Sequence, residues 1–278
     1  GADGQRRRVD QSRLIADDSL LELLQHSPLD QQNRRALKGL SARSQIVVGE
    51  LGVRGFGLED LINLIKWQLE KNTIDRGKTA WITDPSFWNY ISITGQPKDF
   101  SVLAGLAAIP DHESRLAVAA ELCRGSGELR ALYKGTRALL LEELDCPNLQ
   151  PLWEALGCRL LTVEDLIEDL KEQEPRGLLI EKNGVHEILS TLQHCSADHS
   201  DQIGHLALFP NVNGDLCSLY GNEDGQGIVW LSPRGPLGDF LNVNRRDWPL
   251  VSGEVQGAFE SALRHWGADF FDLFKLFD

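Results

Sequence analysis

The residues best able to bind a metal are seven histidines and five cysteines, and one stretch gathers several of them. His194, Cys195, His199 and His205 stand close together, with Cys217 a little further on. Structural zinc sites use tight paired spacings such as Cys-x2-Cys, and this set has none. Zinc therefore fits loosely. The expectation is that Cys195 packs on a helix while His199 and His205 lie in a loop facing solvent.

Three other constellations suggest chemistry. Asp111-His112-Glu113 has the residue types of an acid–base or metal site. Its position between two short apolar runs favours a turn, and the matching segment Asn211-Val212-Asn213 carries no titratable group. Glu59/Asp60 and Glu164/Asp165 recur as paired carboxylates. Adjacent residues on a helix do not face each other, and acids in a first turn complement the exposed amides there. Arg54 and Arg159 are expected to pair with them. Gly77-Lys78-Thr79 resembles the end of a phosphate loop, but Asn72 stands where that loop needs glycine, and a helix rather than a strand precedes it. No Gly-x-Ser-x-Gly elbow anchors a serine nucleophile. No catalytic, cofactor-binding or metal site follows from these residues.

The elements that carry them fall into a repeat. Leu51-Gly52-Val53-Arg54 leads into Glu59-Asp60-Leu61-Ile62, and Leu156-Gly157-Cys158-Arg159 leads into Glu164-Asp165-Leu166-Ile167. Further on, Leu106 to Pro110 matches Leu206 to Pro210, and Leu116 matches Leu216. Each half also carries a Gly-x-Gly (Gly125/Gly127, Gly225/Gly227) and an Asp-x-Pro (Asp145/Pro147, Asp247/Pro249). Leu58, Leu61, Ile62 and Ile65 share one helical face, as do Val163, Leu166, Ile167 and Leu170. Second helices are expected near Pro85–Ile93 and Gly184–Cys195, each followed by a hairpin. Pro210-Asn211-Val212-Asn213-Gly214 is the clearer turn; Ser114 replaces the glycine in the other, which puts that turn's geometry in question.

The fold class is thus α+β: two tandem diverged modules of helix, helix, β-hairpin and helix, each about a hundred residues, plus the start of a third. Residues 1–44 form a helical segment (Ser19–Gln25 and Asp30–Gly39) or the tail of a preceding module. Residues 45–148 are the first module and 149–255 the second. Residues 256–278 are a closing helix and a truncated third start, marked by Leu263-Arg264-His265-Trp266-Gly267. The opening Gly1-Ala2-Asp3-Gly4 reads as an internal boundary, and the chain contains no methionine. Trp266, Phe270, Phe271 and Phe274 are expected to form an apolar face that a neighbour covers.

Composition narrows the partners. A net charge of −13 over 278 residues disfavours nucleic acid, which needs basic surface to displace counterions. Residues 142–174 hold ten acids against Arg159 and Lys171, and Arg6-Arg7-Arg8 is a short solvated end. Scattered cysteines in odd number point to reduced thiols in a cytoplasmic setting. No apolar run is long enough to span a bilayer.

The order Leu-Gly-x-Arg, Glu-Asp-Leu-Ile, then Phe209-Pro210-Asn211-Val212-Asn213-Gly214-Asp215-Leu216, with Pro147 to Gly157 as the closing helix, resembles the repeat of sacsin and sacsin-like proteins. The resemblance covers most of residues 45–278. It implies a very large, chaperone-associated parent that pairs such repeats with ATPase domains of the gyrase, chaperone and histidine-kinase type. The Glu-Asn-x-x-Asp helix and Asp-x-Gly-x-Gly loop of that ATPase are missing here, so its nucleotide site maps to no residue. The expected role is a non-catalytic scaffold or protein-interaction segment without a cofactor, whose partners are other domains of the parent and a protein client. The alternative is a hydrolase or nuclease whose site is assembled from dispersed Asp, Glu and His.

Overall fold

A computed structural model describes residues 13–14, 36–37, 42–51, 53–55, 57–70, 82–125, 127–194, 199–220, 228–243 and 248–272. Its elements are, in chain order, β1 (Arg13–Leu14), β2 (Ala36–Leu37), α1 (Ala42–Glu50), β3 (Arg54–Gly55), α2 (Leu58–Glu70), α3 (Pro85–Thr94) and α4 (Pro97–Ala104). The hairpin β4 (Ile109–Pro110) and β5 (Leu116–Ala117) follows, then β6 (Cys123–Arg124), α5 (Gly127–Tyr133), α6 (Gln150–Leu156) and β7 (Arg159–Leu160). Next come α7 (Val163–Lys171), α8 (Gln173–Gln193), α9 (Ser200–Gly204), the hairpin β8 (Phe209–Pro210) and β9 (Leu216–Cys217), α10 (Pro236–Val243) and α11 (Gly253–His265). The fold is mixed, rich in helix with small sheets. Among the described residues no helix is long and apolar enough to cross a membrane.

Two compact units divide the chain. Unit 1 comprises residues 1–125 and 137–160; unit 2 comprises residues 126–136 and 161–278.

In unit 1, α2 turns its expected face inward: Leu58, Leu61, Ile62 and Ile65 are all buried. Asp84 caps α3 by accepting from the Ser86 amide at 2.8 Å, and Pro85 pre-sets the first turn. The core centres on two indoles, Trp88 and Trp153, with ring centroids 5.1 Å apart. Each is fully buried and keeps its N–H satisfied: Trp88 Nε1 donates to Ile82 O and Trp153 Nε1 to Leu144 O, both at 2.7 Å. Truncating either to alanine is expected to cost about 3–5 kcal/mol.

In unit 2, Thr162 and Asp165 form a capping box at the start of α7, which buries Leu166, Ile167 and Leu170. Helix α8 is broken at Gly184, whose φ of 77° and ψ of 158° lie outside the helical region. The second half therefore begins where the sequence places a new helix. Ser252 caps α11. Leu241, Leu250 and Phe271 form one small cluster.

The strands depart from expectation. Ala36–Leu37 is a strand rather than part of a helix over Asp30–Gly39, and β1 pairs in parallel with both β2 and β3. Arg13 faces Ala36 on one side and Arg54 on the other. The same parallel arrangement joins Cys123 to Leu139 and Arg159. It appears again where Trp230 meets Leu250 and Leu231 meets Phe270. Helices α4 and α9, one before each hairpin, also lie outside the simple helix–helix–hairpin–helix pattern. Gly52, Ser19–Gln25, Gly77-Lys78-Thr79, Gly225, Gly227 and Asp247 fall outside the described residues, as does the Arg54 side chain.

Candidate functional site

The two hairpins carry the residues with the most chemical promise, so their geometry decides what Asp111, His112 and Glu113 can do. In the first, Asp111 is 4% exposed, and its Oδ1 accepts the amides of Glu113 and Arg115, both at 2.8 Å. Arg115 Nε lies 3.3 Å from Oδ2, and the Arg115 guanidinium also contacts Glu113. His112 Nδ1 accepts the Leu139 amide at 3.3 Å, while the His112 backbone amide donates to Leu139 O at 2.8 Å. A carboxylate with this many donors is a turn-builder, not a free base.

The second hairpin solves the same problem without charge. Asn211 Oδ1 accepts from the amides of Asn213 at 2.8 Å and Asp215 at 3.0 Å. The main-chain bonds correspond one for one. Asp111 N donates to Arg115 O at 2.7 Å, and Asn211 N to Asp215 O at 2.8 Å. Ser114 N donates to Asp111 O, and Gly214 N to Asn211 O. His112 N reaches Leu139 O, and Val212 N reaches Leu250 O. Ser114 takes a φ of 61° where Gly214 takes 91°, so serine keeps the turn by entering the left-handed region.

Two helix mouths hold the paired carboxylates. At α2 a polar, open pocket of about 340 Å³ is lined by Gly57, Glu59, Asp60, Gln96, Lys98 and Asp99, among others. Asp60 accepts the Gly57 amide at 3.2 Å, and Asp99 the Gln96 amide at 3.0 Å, so both acids serve to cap helices. Glu59 is left exposed. At α7, Asp165 and Thr162 cap each other, and Glu164 lies 3.2 Å from His199 Nε2. The Glu164 carboxyl is held below the usual range by its backbone amide first, then by the Thr162 hydroxyl, with His199 contributing less.

The metal candidates take separate partners. His194 Nδ1 lies 3.0 Å from Ser190 O and 3.1 Å from Glu128. His199 meets Glu164, and the His205 ring lies against Tyr220 with centroids 4.8 Å apart and the rings tilted. Cys195 lies outside the described residues. Among the described residues no three His, Cys, Asp or Glu side chains converge on a common point. Burial pushes the Cys158 thiol up to about 12, with the Arg124 charge opposing, which leaves it protonated and unreactive near neutrality.

Of the expected apolar face, Trp266 and Phe271 are buried, Trp266 against Phe209 and Phe271 against Trp248. Phe270 lies under the Arg264 guanidinium at 5.6 Å. Phe274 lies outside the described residues. Of the repeat motif, Leu156 is buried, and Gly157 ends α6 with a φ of 86°. Pro110 is buried and Pro210 half-buried, whereas Leu51 is 63% exposed and Arg159 exposed.

The sequence gives little warning of three groups. Arg124 is 2% exposed, with Nη2 3.4 Å from Glu154 and Nε without a partner among the described residues. Tyr133 donates to Asp169 at 2.6 Å, and Asn183 to Leu132 O at 2.9 Å. No protein-family model matches the chain, and neither a curated protein nor a solved structure matches it.

Proposed function

We propose that residues 45–278 are two diverged copies of one structural module, with the start of a third, and that they serve as a non-catalytic scaffold in a larger cytoplasmic protein. In this reading the parent is chaperone-like and coupled to an ATPase, as the sacsin-like resemblance implies. The segment binds other domains of the parent and a protein client, and needs no cofactor of its own.

The observation that carries the reading is the recurrence of one backbone hydrogen-bond frame. It extends beyond the hairpins. Leu140 N donates to Cys123 O and Val251 N to Trp230 O, both at 2.9 Å. Cys158 N donates to Trp153 O and Ala268 N to Leu263 O, both at 2.8 Å. The parallel set β2-β1-β3 repeats the pairing a further time near the N-terminus, which fits the tail of a preceding module. Side chains differ at most of these positions, so the frame rather than any reactive group is what the two regions share. Repeat units of this kind bury their faces against neighbours and offer extended binding surfaces.

The test is thermal stability of the chain with ATP, ADP, Mg²⁺ and Zn²⁺ in turn, because any ligand of the native state raises the melting midpoint by mass action. The scaffold reading expects an unchanged midpoint with all four. A concentration-dependent rise with any one would count against it and bring the hydrolase or nuclease alternative forward.

A further inference from the structure

Helices α5 and α10 occupy corresponding places in the recurring frame. Helix α5 follows β6, where Cys123 meets Leu139 and Arg124 meets Leu160. Helix α10 follows Trp230 and Leu231, which meet Leu250 and Phe270 in the same parallel way. A glycine with positive φ stands at the start of each, Gly127 at 52° and Gly235 at 85°. Counted from these glycines, Leu129 corresponds to Leu237, Leu132 to Phe240 and Tyr133 to Leu241. Leu129 and Leu237 are both half-buried, and Tyr133 and Leu241 are both buried. The remaining apolar pair differs: Leu132 is 1% exposed and Phe240 55%.

What covers Leu132 is the helix pair that follows it in the chain. Unit 2 takes in residues 126–136 together with α7 and α8, and α5 packs along α8. Tyr133 Oη donates to Asp169 Oδ2 on α7 at 2.6 Å, and Asn183 Nδ2 on α8 donates to Leu132 O at 2.9 Å. This pair starts directly after the buried Leu161, with Thr162 as its cap. Phe271 is buried in the same place after Phe270, and Asp272 follows it as Thr162 follows Leu161. Aspartate caps a helix at least as well as threonine.

We propose that the face of α10 around Phe240 is a docking surface for a helix pair of the α7–α8 type that begins at Asp272 in the parent chain. The proposal rests on the tandem-module reading and names the element that fills this face. The second helix of the pair supplies a donor to the Phe240 carbonyl, as Asn183 does for Leu132. Leu241 has no hydroxyl, so nothing repeats the contact of Tyr133 with Asp169, and the joint is more apolar than the one at α5.

The experiment compares this chain with an extended one, in which residues 162–194 are repeated after Phe271 in place of residues 272–278. Phe240→Cys is placed in both, and alkylation at position 240 is followed by mass spectrometry of the native proteins. Labelling slowed by about tenfold or more in the extended chain is expected, because covered positions react only through local opening. Equal rates would overturn the proposal. A second measurement needs no extension. In the original chain Leu132→Asp should lower the melting midpoint by several degrees, while Phe240→Asp should leave it within about one degree. An equal loss in Phe240→Asp would mean that Phe240 is already packed, and would overturn the docking surface. Dimers that form in the original chain and vanish in Phe240→Asp would overturn it too, since the occupant would be a second copy. Each of these failures leaves the scaffold reading intact, which falls instead on a shift with nucleotide or metal.

Discussion

The hairpin at Asp111 and the hairpin at Asn211 reach the same backbone through different side chains. One uses a buried carboxylate flanked by Arg115 and Glu113; the other uses a neutral amide. What they share is an oxygen that accepts two amides inside the turn, and a residue at the fourth position able to hold positive φ. The comparison shows that the charge at Asp111 is an addition to the turn, not its cause. That is why Asp111-His112-Glu113, read alone, resembles an acid–base site and, read against its counterpart, does not.

The largest effect expected from this comparison is loss of the shared acceptor. Asp111→Ala strands two amides beside a buried position and should cost about 3 kcal/mol in urea denaturation, while Asn211→Ala at its more exposed position should cost about 2 kcal/mol. If either variant unfolds at the wild-type midpoint, the acceptor is not what holds that turn. A smaller effect belongs to the fourth position. Gly214→Ala puts a Cβ on backbone at φ of 91° and should destabilise by about 1–2 kcal/mol, whereas Ser114→Gly relieves strain and should stabilise by about 0.5 kcal/mol. Opposite signs for the two substitutions would sharpen the comparison; the same sign would break it.

The helix mouths extend the contrast and give the smallest effect. Glu164 has a depressed folded pKa, so its contribution is present above the ordinary value of 4.5 and is lost as pH falls through the lower folded value. Glu164→Gln should therefore flatten the acid limb of the stability profile. An unchanged acid limb in Glu164→Gln would show that the hydrogen bonds from its backbone amide and from Thr162, with the nearby His199, carry no linkage.

How much of this was legible in the sequence follows from the length of each signal. Helix α2 was readable because Leu58, Leu61, Ile62 and Ile65 repeat at helical spacing and all go inside. The second hairpin was readable from Asn211 and Gly214, whose preferences are local. The parallel strands were not, because two residues leave no alternation to detect, and Ala36–Leu37 looked helical for the same reason. The contact of His199 with Glu164 joins residues far apart in sequence, and nothing local marks either as a partner. Burial of Arg124 runs against the usual exposure of arginine, so composition pointed the wrong way. Membership of α5 in unit 2 depends on tertiary contacts alone.

The central claim is that both hairpins are versions of one module, and transplanting one into the other's place tests it most directly. Residues 111–115, Asp-His-Glu-Ser-Arg, are replaced by Asn-Val-Asn-Gly-Asp from residues 211–215, and thermal unfolding is followed by circular dichroism. One shared frame predicts a folded chain that melts cooperatively within a few degrees of wild type, a shift that corresponds to about 1 kcal/mol for a protein of this size. Loss of the cooperative transition would mean the two turns are not interchangeable, and the module account would fall with them.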